Sequence, residues 1–268
     1  MTTPRTALLQ SSGRPGDVDH NLGLLADAAA RAASAGARLL TVPELFLTGY
    51  AIGERVRELA EPADGPSARA VARTAAEHGI AICYGYPERA GERIHNAAQL
   101  VDPSGQRLLN YRKAHLYGAF EERWFTPGQP PVAPVELPAL GGLRVGVMIC
   151  YDVEFPEYVR AHALAGTDLL LVPTAQMHPY QFVAESLVPV RAFENQLYIA
   201  YANRTGPEGE FDFVGRSCLA GPDGVARARA GQGTELVVAD LDAAFLAASR
   251  QANPYLRDRR PALYTTLG

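Results

Sequence analysis

LRVGVMICYDVEFPE, residues 143–157, is the stretch whose reading decides the fold of this chain. Apart from Arg144, its first part, LRVGVMIC, is apolar and rich in β-branched residues, which reads as a buried strand. Pro156 and Glu157 then open a helical stretch, EYVRAHALAG, in keeping with the preference of proline and acidic side chains for a first helical turn. Cys150 therefore falls at a strand-to-helix turn. A thiol there is presented at a sheet edge, near backbone N–H groups able to bind an oxyanion. The same position also suits a buried core cysteine, because free Cys is among the most buried residue types.

Two further segments bear on that choice. In ARLLTVPELFLTGY, residues 37–50, a hydrophobic strand runs up to Pro43 and Glu44 follows directly. Glutamate usually ends in a solvated loop, but Val42, Pro43, Leu45, Phe46 and Leu47 leave it little solvent, so a partner or a raised pKa is expected. In QRLLNYRKAHLYG, residues 106–118, Lys113 follows a strand and lies between the Leu108–Tyr111 and Ala114–Tyr117 runs. Glu44, Lys113 and Cys150 thus each follow an apolar strand, and in open α/β sheets ligands bind beyond the carboxyl ends of strands. An acid, an ammonium and a thiol in one such place suffice for acyl transfer. The thiolate attacks, the carboxylate moves the proton, and the ammonium steadies the oxyanion.

Strand and helix patterns alternate along the chain. TALLQ, RLLTVPE, IAICYGYPE, NAAQLV, QRLLNYRK, TDLLLVPTA, LYIAYANR and TELVVADLD read as strands. NLGLLADAAARAASAGA, SARAVARTAAEHG and, despite Pro189, ESLVPVRAFENQ read as helices, while SCLAGPDGVARARA carries a hairpin turn. This is an α/β pattern with a mixed sheet. No linker, repeat or low-complexity stretch divides residues 1–268, so one domain is expected.

With 268 residues, 47% hydrophobic and 20% charged, the chain can bury a large core. A net charge of −4 gives no electrostatic case for nucleic acid or an anionic membrane surface. No apolar run reaches the roughly 18 residues that span a bilayer, and no signal-peptide core is evident, so a cytoplasmic location is expected. Cys83, Cys150 and Cys218 are odd in number and far apart, which argues against disulfides and zinc clusters. His78, His95 and His162 read as surface or packing residues without metal-site spacing. His115 reads as a loop-holding hydrogen-bonder, with a Cys–His hydrolase as the competing possibility. No phosphate-binding glycine motif occurs, and no cofactor or metal is expected.

At VPELFLTGY, YRKAHLYG and GVMICYDVEFPE the chain resembles the nitrilase superfamily of carbon–nitrogen hydrolases. That family carries a Glu–Lys–Cys triad in this order, here matched by Glu44, Lys113 and Cys150. It also carries a second glutamate eight residues after the lysine, and Glu121 stands there in GAFEERWFTPG. The likeness runs from TALLQ to NPYLRDRRPALY. It implies a four-layer α-β-β-α sandwich, paired across a helix face into a dimer or larger homo-oligomer. It also implies that the tail, about residues 250–268 with Arg257, Arg259 and Arg260, reaches a partner subunit.

The resemblance implies an amidase of the aliphatic branch acting on a small amide. Tyr151 and Asp152 stand where nitrilases proper tend to carry a tryptophan–glutamate pair. In the implied cycle Glu44 is the general base, Lys113 and the Tyr151 N–H hold the oxyanion, and Glu121 positions substrate or supports Lys113. Nitrile or N-carbamoyl hydrolysis within the superfamily stays open, as does a non-catalytic binding protein on the same fold. Candidate substrate-binding residues on loops near the strand ends are Tyr50, Tyr117, Trp124, Tyr151, Met177 and Phe182. Such aromatics favour an apolar or cationic acyl group.

Overall fold

The alternating pattern becomes two six-stranded sheets stacked between helices. The structure, a computed structural model, describes residues 3–129 and 131–265. The first sheet contains β1 (Arg5–Gln10), β2 (Ala37–Thr41), β3 (Ala81–Ala90), β4 (Arg93–Val101), β5 (Arg107–Arg112) and β14 (Glu235–Asp240), in the order β14-β1-β2-β3-β4-β5. The second contains β6 (Val135–Leu137), β7 (Leu143–Val147), β8 (Leu169–Thr174), β9 (Tyr198–Asn203), β12 (Cys218–Ala220) and β13 (Ala226–Arg229), in the order β13-β12-β9-β8-β7-β6. A separate hairpin joins β10 (Thr205–Glu208) to β11 (Phe211–Val214). In each sheet three strands run parallel, β1–β2–β3 and β7–β8–β9, and the outer pairings are antiparallel.

Alternation along the strands builds the layers. Leu8, Leu39, Leu169 and Leu171 point between the sheets, while their neighbours Ala7, Leu9, Leu40, Leu170 and Val172 point to the helices. These strands are buried on both faces, so they read as continuous apolar runs. Helices α1 (Val18–Ser34) and α3 (Pro66–His78) cover the first sheet, with the short α2 (Val56–Leu59) between them in sequence. In α1, Leu25, Ala28, Ala29 and Ala32 fall on one stripe at helical spacing and are buried, and Asp17 accepts the His20 N–H at its start. After α4 (Gly118–Trp124), helices α5 (Pro156–Leu164) and α6 (Val188–Asn195) cover the second sheet, and α7 (Ala243–Ala252) and α8 (Tyr255–Asp258) close the described chain. This is the expected α-β-β-α sandwich.

Two readings needed extension. The first helix begins at Val18, three residues before Asn21 and directly after its Asp17 cap. Pro189 is the second residue of α6, which runs on directly from a π-helical turn, Val183–Leu187, and the widened turn accommodates a residue without an N–H. Beyond α7 the tail folds back towards α5 around a groove of about 870 Å³ lined by Arg160, Leu164 and Tyr255 among others. Residues 266–268 of the expected tail lie outside the described residues, as do residues 1, 2 and 130 of the expected single domain. Among the described residues no helix is long and apolar enough to cross a membrane.

The topology sets one edge apart. β5 is antiparallel to β4, which is antiparallel to β3, so β2 and β5 end on the same edge of the first sheet. β7, β8 and β9 end together in the second. Glu44, Lys113 and Cys150 follow β2, β5 and β7 respectively.

Candidate active site

Glu44 lies in the turn after β2 with its side chain fully buried. Its backbone N–H donates to the Thr174 carbonyl at 3.3 Å, which ties the end of β2 to the end of β8 across the two sheets. The turn crosses β3 at Gly85, where a Cβ would meet the Leu45 nitrogen at 2.5 Å and the Glu44 Cα at 2.9 Å. Only glycine lets the Glu44 backbone lie this close to the strand.

Lys113 is the hub of the site. Its Nζ donates to Glu44 Oε1 at 2.7 Å and to Glu121 Oε1 at 2.7 Å, with all three side chains fully buried. Glu44 Oε1 also accepts from Asn96 Nδ2 at 2.6 Å, whereas Glu44 Oε2 takes no hydrogen bond from any described residue. Glu121 is fuller. Its Oε1 accepts the Tyr50 hydroxyl at 2.8 Å as well as Lys113, and its Oε2 accepts the Tyr117 N–H at 2.9 Å. Glu121 lies on α4, where its neighbours Phe120 and Trp124 pack on an apolar cluster and take it inside.

The charges set the protonation states. Burial pushes the Glu44 carboxyl up to about 7, against the pull of Lys113 and with a further push from Glu121. Burial by itself draws the Lys113 ammonium down, but Glu121 and Glu44 outweigh it, so it titrates well above an ordinary lysine. Cys150, 7% exposed, is held well above an ordinary thiol by burial and then by Glu44, with Lys113 opposing. The resting arrangement is a neutral thiol next to a carboxyl poised near neutrality and a fixed ammonium.

Cys150 opens a 3-10 turn, Cys150–Glu154, and takes φ of +47°, a conformation that side chains other than glycine rarely adopt. Strain of this kind places a side chain at a sharp turn above the sheet. The turn is held by Asp152, which the sequence reading had treated only as a family marker. Asp152 Oδ2 accepts the Tyr111 hydroxyl at 2.7 Å and the Ile149 N–H at 3.1 Å, and Oδ1 accepts the His115 N–H at 2.9 Å. His115 Nδ1 lies 2.8 Å from the same Oδ1, and its ring stacks on Phe155 at 3.9 Å. His115 therefore links the Lys113 loop to the Cys150 turn, as a loop-holding residue does.

The expected binding residues divide. Tyr50 and Met177 are buried in one apolar cluster, with Tyr117 and Trp124 packed against it. Tyr151 meets the Tyr117 ring edge-on at 5.3 Å. Trp124 stands between the guanidiniums of Arg57 and Arg123, at 5.9 and 4.9 Å from its ring. Phe182 is 55% exposed and outside the cluster. Asn96 escaped the sequence reading, although a buried amide inside a strand is unusual and asks for a partner. Arg204 escaped it too.

The carbon–nitrogen hydrolase profile matches residues 5–259. A protein of Pseudomonas protegens described as a hydrolase in the pqqF 5' region is 49% identical over all of this chain and 93% of its own. An (R)-stereoselective amidase of a Pseudomonas species is 35% identical over 94% of this chain and 90% of its own. The NitN amidase of Nesterenkonia sp. AN1 superposes with a TM-score of 0.88 at 39% identity, covering 99% of this chain and 100% of that one. A glutamate-to-glutamine variant of that amidase carries acrylamide joined to its active-site cysteine by Michael addition, and a cysteine-to-alanine variant holds butyramide. A Glu–Lys–Cys site at one end of an α-β-β-α sandwich, matched along nearly the whole sequence, leaves one assignment: the chain belongs to the carbon–nitrogen hydrolase family, the nitrilase superfamily.

Proposed function

We propose that this protein is a cysteine-dependent amidase that converts a small amide to a carboxylate and ammonia through a thioester on Cys150. The observation that carries the reading is the single ammonium of Lys113 shared by Glu44 and Glu121 within electrostatic reach of the Cys150 thiol. In the ionised form Glu44 takes the thiol proton as sulfur adds to the amide carbonyl. Lys113 and the Tyr151 N–H bind the oxyanion. The C–N bond breaks as Glu44 returns the proton to the leaving nitrogen. Water, deprotonated by Glu44, then cleaves the thioester, releases the carboxylate and restores the thiol.

The butyramide complex of the Nesterenkonia relative supports a small aliphatic amide as substrate. Of the expected binding residues, Tyr50 and Tyr117 lie within electrostatic reach of Cys150, Tyr151 follows it in sequence and meets the Tyr117 ring, Met177 and Trp124 share their apolar cluster, and Phe182 lies outside it. Acrylamide addition in the glutamine variant of that relative supports a division of labour: an activated carbon electrophile can capture the cysteine without the glutamate, whereas amide cleavage needs the glutamate to protonate nitrogen. Pairing through α5 and the tail is part of the same reading, supported by the apolar side chains Leu164 and Tyr255 exposed along that groove.

The test is a screen of small amides, amino-acid amides, nitriles and N-carbamoyl acids for ammonia release, run beside Cys150→Ala. Ammonia without carbon dioxide from an amide, absent in Cys150→Ala, together with a mass-spectrometric acyl adduct on Cys150 and not on Cys83 or Cys218, is the expected result. Turnover by Cys150→Ala would remove the thioester route. Release of both gases would move the assignment to N-carbamoyl compounds.

A further inference from the structure

Arg204 stands just beyond β9 with 0% of its surface exposed. Its guanidinium pairs with Glu208 Oε2 and donates to the Ser12 carbonyl. It also lies 3.3 Å from the Glu44 carbonyl and 3.5 Å from the Leu45 carbonyl. The other oxygen of Glu208 accepts the backbone N–H groups of Tyr50 at 2.6 Å and Ala51 at 2.7 Å. One buried ion pair therefore grips the 44–51 segment at both ends, by carbonyls at its start and by N–H groups at its finish. Gly49 allows the second grip. It takes φ of +90°, and a Cβ there would meet Glu208 Oε1 at 2.9 Å.

The side chains at the two ends of the gripped segment are the ones that meet the Lys113 hub. Glu44 reaches Lys113 directly, and Tyr50 reaches it through Glu121 Oε1. A buried ion pair is a poor source of net stability, because desolvation offsets much of its Coulomb energy. Here it spans the two halves of the molecule, from the end of β9 to the turn after β2. We propose that the Arg204–Glu208 pair is a positioning device for the reaction, fixing Glu44 directly and Glu121 through Tyr50 on either side of Lys113. This rests on the amidase reading for its kinetic consequence, but not for its effect on the thiol.

Arg250 supplies a comparison, half-buried where Arg204 is fully buried. It donates to Asp168 Oδ1 at 2.7 Å, the Gln196 carbonyl at 3.0 Å and the Thr167 carbonyl at 3.0 Å, the same kind of grip far from the Lys113 hub. The experiment compares wild type, Glu208→Gln, Arg204→Lys and Arg250→Met. It measures Tm, kcat and KM for an amide, and the pH profile of Cys150 alkylation by iodoacetamide. All variants are expected to lose Tm. In Glu208→Gln and Arg204→Lys, kcat is expected to fall about tenfold or more with KM changed less than about threefold, as for a group acting through the transition state. Arg250→Met keeps kcat within about twofold.

The alkylation profile reads the Glu44–Cys150 pair without any turnover. The charged and titratable groups around Glu44 are Lys113, Glu121, Cys150, Tyr50, Arg204 and Glu208. A loosened turn admits water to Glu44, so the rise of alkylation with pH is expected to move to lower pH by about half a unit or more in both clamp variants and not in Arg250→Met. A wild type without amide turnover would sink the amidase reading, while the alkylation shift would still carry the positioning role. Unchanged kcat and an unchanged alkylation profile in a folded clamp variant would overturn the proposal. So would failure of both clamp variants to fold, since the pair would then be holding the fold.

Discussion

The two carboxylates on either side of Lys113 sit at the same 2.7 Å from its nitrogen and are otherwise unlike. Glu44 comes from a turn between strands and spends one oxygen on Lys113 and Asn96, leaving the other without a protein donor among the described residues. Glu121 comes from a helix and has both oxygens engaged, by Lys113, the Tyr50 hydroxyl and the Tyr117 N–H. A carboxylate held by three donors spread over both oxygens is fixed in one orientation. A buried one with a free oxygen has a raised affinity for a proton and a place to carry it. In the proposed reaction this contrast puts proton transfer on the Glu44 side of the ammonium and orientation on the Glu121 side.

The strongest way to break this division is to neutralise each side in turn. Glu44→Gln keeps the shape and removes the base, so kcat for an amide is expected to fall by about 10²–10⁴, the usual worth of a positioned proton carrier. No acyl adduct then accumulates on Cys150 in quenched samples, although iodoacetamide still labels it. Full turnover in Glu44→Gln would move the base elsewhere.

Lys113 belongs to both sides, and the next effect in size is expected there. Losing one oxyanion donor typically costs about 10²–10³ in turnover. Lys113→Arg keeps the charge, but the planar guanidinium cannot occupy a point between two oxygens each 2.7 Å from one nitrogen, so it is not expected to restore activity. Near-normal kcat in Lys113→Arg would mean that charge alone matters. Lys113→Met leaves two buried carboxyl groups together, which then share a proton, and a lowered Tm is expected as well.

Glu121→Gln is expected to cost less, about 10–10² in kcat, because an amide oxygen still accepts from Lys113 and Tyr50. Its iodoacetamide labelling of Cys150 should still rise with pH, with the rise moved to lower pH because Glu121 no longer pushes the Glu44 carboxyl up. If Glu121→Gln flattened that dependence while Glu44→Gln preserved it, the roles of the two glutamates would be exchanged.

The same contrast explains what was legible in the sequence. Glu44, Lys113 and Cys150 each follow an apolar run, and that pattern survives into the fold because parallel strands end on one edge. The layers were legible for the same reason, since runs such as LLLVPT can only be buried on both faces. Glu121 was reached only through the resemblance, which carries a second glutamate eight residues after the lysine, because AFEERWF reads as polar until one sees which face α4 turns inward. Asn96, Asp152, Arg204 and Glu208 act through contacts 37 to 192 residues away in sequence, with the Arg204–Glu208 pair itself local. Nothing local distinguishes them from solvated polar residues. Their only sequence trace is polarity inside or beside a strand.

The finest test of the Glu44 side is Asn96. In the proposed reaction Glu44 acts in its ionised form, and its carboxyl is raised to about 7, so kcat/KM for a neutral amide is expected to climb about tenfold per pH unit below that value and level off above it. Lys113 titrates well above its ordinary range and adds no loss near neutrality. The Asn96 amide donates to the charged form of Glu44 and so lowers its pKa. Asn96→Leu removes that donor, and one hydrogen bond to an ionised group is worth about 1.5–3 kcal/mol at most, or about one to two pH units. The acid limb is therefore expected to move to higher pH by up to that amount, with the plateau reduced only a few-fold, and Tyr50→Phe, which cuts a bond to Glu121 instead, is expected to leave the limb closer to its wild-type place. A limb that moved to lower pH in Asn96→Leu, or that moved more in Tyr50→Phe, would show that the titrating carboxyl lies on the Glu121 side of Lys113.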